Sequence, residues 1–247
     1  QDVEGSIREM EWARANGFKA IVIDKWMPQE GHHYGSPVGV HSELWPLFAA
    51  AEALEMPIYL HAVQHGHRIA NWKPYQRHGL SIFAPSEGEM TLASLVTSGL
   101  FDDLPKLQFI MAEQGTAHIR PLVERMERAF RASTTRYEDD EGTNPRSRRI
   151  TGVTAPEESP IEKNKKPPLH YFKHNFSWTI ETEEPELAEA MAYVGADRFL
   201  FATDYPHDDP GGAKKFEDVA ILARDTRLSE SDKDLLRFGN AVRLLKL

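Results

Sequence analysis

The sequence predicts an α/β fold of the (β/α)8 barrel type, and three observations carry that expectation. Short apolar runs alternate along the chain with longer helical patterns. The runs are apolar on both faces, as strands of a parallel sheet must be, and right-handed crossovers of that kind close most naturally into a barrel. A doubly wound sheet would usually open on a glycine-rich turn, and no GxGxxG is present.

The elements follow in order. An amphipathic pattern over 3–16 predicts the first helix, and FKAIVI, Phe18 to Ile23, the first strand. Ser42 is placed to cap a helix running to Leu54, with Glu43 in its first turn, and Pro57 opens the strand PIYLHAV. A helix from Glu87 to Leu100 precedes the strand LQFIMAE, Leu107 to Glu113, and a strongly amphipathic helix follows from Ile119 to Ala132. NFSWTI, Asn175 to Ile180, is the next strand. Pro185 to Val194 then gives a helix before RFLFATD. Ser229 to Leu245 is the last helix, started by a serine cap with Asp232 three residues on. From Ser133 to Pro168 the chain is polar, charged and proline-bearing. That predicts a surface insertion in a single domain spanning 1–247, not a domain boundary.

Composition excludes several function classes. The 247 residues, 40% hydrophobic, suffice for one large domain. No run approaches the roughly 18 consecutive apolar residues of a membrane span. The opening QDVEGSIREMEW lacks the basic-then-apolar layout of an export signal, so the expectation is a cytoplasmic protein with no membrane partner. A net charge of −9 argues against nucleic acid, since the one basic run, PRSRRI, lies beside EDDEG. Without cysteine there are neither disulfides nor thiolate ligands, which leaves any metal to His, Asp and Glu.

Barrel chemistry sits at the carboxyl ends of the strands. Those ends carry His61 after IYL, Glu113 after FIMA and Asp204 after FLFAT, while NFSWTI brings Trp178 and Thr179. A buried strand that ends in a carboxylate needs a compensating partner. Imidazole with carboxylates suits a divalent zinc, manganese or iron ion. A single strand-end histidine is more often structural than ligating; the same end of several strands points to a shared cation. Trp26, Trp72 and Trp178 offer walls for an apolar substrate or, on the plainer reading, core packing. His32 and His33 in HHYG, and His65 and His67 in HGH, fall in loop-like sequence and read as solvated. Arg125 and Arg128 read as a salt-bridged helix face, with a substrate carboxylate as the alternative, and Gly211 and Gly212 as a loop.

The string FLFATDYPHDDP resembles the eighth-strand motif of the amidohydrolase-related proteins (amidohydrolase family 2), which ends in Ser or Thr followed by Asp-Tyr-Pro-His. PIYLHAV resembles that family's fifth-strand histidine motif, LPKLQFIMAEQGTAHIRPLVERMER its sixth-strand segment, and FGNAVRLLKL its closing helix. The resemblance covers nearly the whole chain and is weakest over 133–168. It implies a metal-dependent (β/α)8 barrel that activates water for hydrolysis or, in one branch, decarboxylates aromatic or unsaturated acids without an oxidant. By position it assigns His61, Glu113 and Asp204 to the metal. Glu113 stands where many members have histidine, as ligand, proton donor or orienter. The candidate catalytic residues are Asp204, which by position handles a proton, Glu113, and His207, which orients Asp204 or touches substrate or, on an equal footing, is a hydrogen-bonded loop histidine fixed by Pro206. Trp26, His118 and Trp178 are the candidate substrate contacts; at His118 the chain departs from the family, whose Glu-type members carry an aromatic there, so it is either a further polar group of the site or a neutral replacement at the helix entry.

The family's first-strand pair, His-x-His or Glu-x-His, has no match near the start. Aligned to the family, FKAIVI is the fourth strand, so the chain covers only the fourth to eighth βα units. The first reading is hydrolysis of a small organic acid, amide or lactone by metal-activated water. The alternatives are non-oxidative decarboxylation on the same site, or an inactive fragment serving as an assembly subunit. Five strands leave two unpaired sheet edges, so a homo-oligomer or a complement to a missing N-terminal segment is the expected assembly.

Overall fold

The computed structural model describes residues 2–28, 35–61, 76–138, 164–181, 184–203 and 217–247, with side chains inside 76–138 described over 85–131. Asp2 caps α1 (Val3–Ala15), its carboxylate accepting the Gly5 N–H at 2.7 Å. Gly17, at φ 89°, makes the turn toward β1 (Ile21–Ile23), which is shorter than the apolar run suggested; Phe18 lies outside it and is 55% exposed. A small antiparallel ribbon of β2 (Trp26–Pro28) and β3 (Gly35–Pro37) follows, unannounced by any periodicity. Ser42 proves not to be a cap. It lies in a 3-10 turn, and α2 (Trp45–Ala53) starts beyond it with a proline in its first turn.

After β4 (Ile58–Leu60), helix α3 runs Gln76–Thr97 around an internal Pro85, beginning well before the expected Glu87. Gly99, at φ 82°, separates it from α4 (Leu100–Asp103). Then come β5 (Phe109–Met111) and α5 (Ile119–Glu138). The expected insertion is trimmed at both ends, because α5 continues past Ser133 and Pro168 opens another helix, α6 (Pro168–His174). Residues 139–163 lie outside the described residues. The remaining elements are β6 (Phe176–Ile180), α7 (Leu187–Val194), β7 (Phe199–Phe201), α8 (Asp218–Arg224) and α9 (Glu230–Asp234). A π-helical turn, Leu235–Gly239, joins α9 to α10 (Asn240–Leu245).

Five strands form one parallel sheet in chain order, β1-β4-β5-β6-β7. The register sets Ile21 beside Ile58, Ile58 beside Phe109, Phe109 beside Phe176 and Trp178 beside Phe199. Strand parity sorts the two faces. Ile58, Leu60, Phe109, Met111, Phe176, Trp178 and Phe199 join the core shared with the helices. On the opposite face Leu244 of α10 packs on Ile110 and Leu200, with Tyr59 beside them. Phe101 meets Phe109 and Phe176 edge-on, at centroid distances of 5.9 and 5.1 Å. Each such buried ring contributes about 1.5–3 kcal/mol through area removed from water.

Candidate functional site

Strand geometry brings His61 and Glu113 together. Leu60 and Met111 are partners in register, and the Ala112 N–H donates to the Leu60 carbonyl at 3.0 Å, so β4 and β5 end side by side. His61 lies just past β4, its ring stacked with Tyr59 at 6.4 Å. Glu113 takes the left-handed conformation, φ 54°, and donates its N–H to Thr179 Oγ1 at 3.3 Å. That turn leaves Glu113 Oε1 at 2.9 Å from His61 Nε2, with side chains 34% and 40% exposed. Both donors are therefore open to a ligand. Their separation is that of neighbouring corners around an ion with N and O bonds of about 2.0–2.2 Å, so the pair fits a divalent metal. Among the described residues no group of three His, Asp or Glu is gathered. The third expected donor, Asp204, follows Thr203 directly in sequence but lies outside the described residues, as do His207, His32, His33, His65, His67 and Trp72.

The candidate substrate contacts fare differently from one another. Trp26 belongs to β2 and is 8% exposed, with its indole Nε1 unpartnered among the described residues. Trp178 takes the plainer of its two expected uses, core packing, and the substrate-wall reading is corrected. It is 1% exposed and stacked between Phe172 and Phe199 on the helix side of the sheet, because its parity on β6 matches the core and not Thr179. His118 is buried just before α5, hydrogen-bonded to the Gln114 backbone, and its Nε2 finds no partner among the described residues. Burial, against the help of that hydrogen bond and together with the Arg125 charge, pulls it down to about 4, so the ring is neutral at neutral pH. Arg125 itself is ion-paired with Glu89, the salt-bridged helix face the sequence suggested.

Sequence reasoning missed a buried ion pair that feels the Glu113 charge. Lys25, two residues past β1, is fully buried, with Nζ at 3.5 Å from the buried Glu87 carboxylate on α3. Burial lowers its affinity for a proton, while Glu87, Asp24 and Glu113 oppose that shift. The one sequence signal was the charged pair Asp24-Lys25 placed directly after the apolar run IVI. Glu184, just beyond β6, was missed too. Burial raises its pKa, against the neighbouring Thr116 and a hydrogen bond from the Glu181 N–H at 3.2 Å.

A parallel sheet wound in chain order, with an imidazole and a carboxylate meeting at the carboxyl ends of adjacent strands, defines the class of α/β proteins that hold chemistry at strand ends. The family model described as amidohydrolase matches residues 1–247, and the chain belongs to that family. Curated relatives include the gamma-resorcylate decarboxylase of a Polaromonas species, 26% identical over 257 aligned positions that cover 100% of this chain and 68% of the relative. The gamma-resorcylate decarboxylase of a Rhizobium species is 27% identical over 207 positions, 82% of this chain and 54% of the relative. Among solved structures, the Polaromonas dihydroxybenzoic acid decarboxylase, with bound manganese and 2-nitroresorcinol, superimposes at a TM-score of 0.70 and 24% identity, over 100% of this chain and 66% of that one. The manganese-bound 5-carboxyvanillate decarboxylase of Novosphingobium aromaticivorans gives a TM-score of 0.74 at 24% identity, over 100% and 62%. The chain thus spans 54 to 68% of the length of these curated relatives. None of the helices described is long and apolar enough to cross a membrane.

Proposed function

We propose that this chain carries the strand-end site of a divalent-metal-dependent, non-oxidative decarboxylase of a hydroxylated aromatic acid. The observation that carries the reading is the match along the whole chain to a gamma-resorcylate decarboxylase. The hydrolytic reading set first from sequence gives way to its alternative, because the relatives and the manganese-bearing neighbours are named as decarboxylases.

In this reading His61, Glu113 and Asp204 hold the metal. When bound, a divalent ion supplies positive charge against the substrate carboxylate and an adjacent hydroxyl oxygen. The chain's own groups do the rest. The hydrogen bond from the Glu113 N–H to Thr179 fixes where that carboxylate points, and contact with Glu113 orients His61. Decarboxylation needs a proton at the ring carbon as the bond to the carboxylate breaks and CO2 leaves. Asp204 is the proposed donor, with His207 orienting it. Trp26 is kept as an apolar wall for the ring and the neutral His118 as a polar one.

The reading includes the assembly. The five parallel strands stand as the fourth to eighth units of an eight-unit barrel in one domain, and a further segment supplies the first three with the first-strand ligand pair. What supports this is the free side of β1: among the described residues it pairs with β4 alone, and Val22 is 69% exposed.

The test is a substrate screen of the manganese-loaded full-length protein. 2,6-Dihydroxybenzoate and 5-carboxyvanillate are set against lactones and amides, with release of CO2 followed. CO2 release from a hydroxybenzoate is the expected result. Turnover of a lactone or amide without CO2 would return the hydrolytic reading.

A further inference from the structure

At the amino-terminal ends of the strands, opposite His61 and Glu113, a cavity of about 260 Å3 opens between the end of α2, the entries to β4, β5 and β7, and α10. Its charge runs against that of the molecule. Lys106, Arg198, Arg243 and Lys246 line it against Glu52 and Glu55, in a chain of net charge −9. Both acids are engaged already: Glu55 pairs with Lys246, and Glu52 accepts the Lys106 backbone N–H at 2.6 Å. Arg198, only 8% exposed, and Arg243 share a single carboxylate, that of Asp197. Asp197 binds Arg198 closely and lies 3.7 Å from Arg243, whose other bond goes to the Asp197 carbonyl. Burial and the neighbouring Arg198 charge together lower Arg243's hold on its proton.

Lys246 and Glu55 offset each other, and Lys106, Arg198 and Arg243 stand against Asp197 and Glu52, which leaves one positive charge in excess in a partly enclosed space. Such charge is costly unless paired, and guanidiniums match oxyanions through parallel N–H donors. We propose that this cavity binds a small oxyanion, a phosphate or a carboxylate, held by Arg198, Arg243 and Lys106. A ligand there ties α10 to the strand entries. It acts on stability from the end of the sheet away from the chemistry, where a barrel keeps its structural contacts.

Thermal unfolding of the full chain in inorganic phosphate, in benzoate and in chloride at matched ionic strength tests the proposal. The unfolding midpoint is expected to rise with phosphate, benzoate or both beyond the chloride value, and to grow with concentration as a bound ligand requires. The anion that works identifies the source. Lys106→Gln and Arg243→Gln should lose most of the rise, while Arg120→Gln, on the surface of α5 with Glu124 and Glu189 as partners, should keep it. If Arg243→Gln fails to fold, Lys106→Gln decides alone, since its backbone bond to Glu52 survives the change. An equal rise in chloride, or a full rise in Lys106→Gln, overturns the site.

Discussion

Glu113 holds a conformation that suits few residues with a side chain. At φ 54° its Cβ crowds the backbone, at a cost of roughly 1–2 kcal/mol, and the return is a carboxylate aimed at His61. Glu113→Gly should therefore melt no lower than the wild type while its divalent metal content drops; a lower melting point with unchanged metal would contradict the assigned role. Elemental analysis of His61→Ala and Asp204→Ala should likewise show less metal per chain than the parent, and unchanged content in both would remove the metal assignment. His118 gives a pH dependence of determinate sign. The folded ring binds its proton only near 4, whereas the unfolded chain does so near 6.5, so the unfolded state holds more protons in that window. Stability should fall as pH drops through it, by up to roughly 3 kcal/mol, with the like charge of Arg125 adding to burial against the protonated ring. Urea titrations near neutrality and at ~pH 5 check this, and His118→Asn should flatten the slope.

Two asparagines do equivalent work at the level of elements. Asn240 on α10 donates to the Ala196 and Phe199 carbonyls at 2.9 and 2.7 Å, and Asn175 ahead of β6 donates to Pro105 and Leu107 at 3.1 and 2.9 Å. Each closes the entry to a strand, which gives the Gly-Asn-Ala-x-Arg-Leu segment a structural reason. Asn240→Ala should cost on the order of 1–3 kcal/mol in denaturant unfolding, because a buried carbonyl is left unpaired. The capping box of Ser229 with Asp232 starts α9 as its sequence promised, and Ser229→Ala should cost about 1 kcal/mol. An unchanged midpoint in Asn240→Ala would show that the clamp is dispensable.

For the molecule as a whole, the two faces of the sheet differ in how well they are covered. The helices bury one face, while α10 covers part of the other and Val22 stands open on β1. An open apolar edge is a template for association. Val22→Lys should therefore reduce self-association of the 247-residue chain, measured by sedimentation, and leave its melting point nearly unchanged. Association that is unaffected would place the contact elsewhere.

Composition and periodicity determined the parallel α/β class, the strands around Ile58, Phe109, Phe176 and Phe199, and the ligand-type residues that follow two of them. These are legible because burial imposes a period on the sequence and strand ends inherit their neighbours. The family motifs likewise sit in local sequence. What lay beyond the sequence depends on contacts between distant segments. The left-handed turn at Glu113 that meets His61, the side of the sheet taken by Trp178, and the helix begun by Pro168 are of this kind. So are the buried Lys25 and Glu87 pair and the shared carboxylate of Arg198 and Arg243. Local propensity records which residues can be buried or ligate. Which of them meet is decided by register and by the packing of helices on the sheet, and only the tertiary structure supplies those.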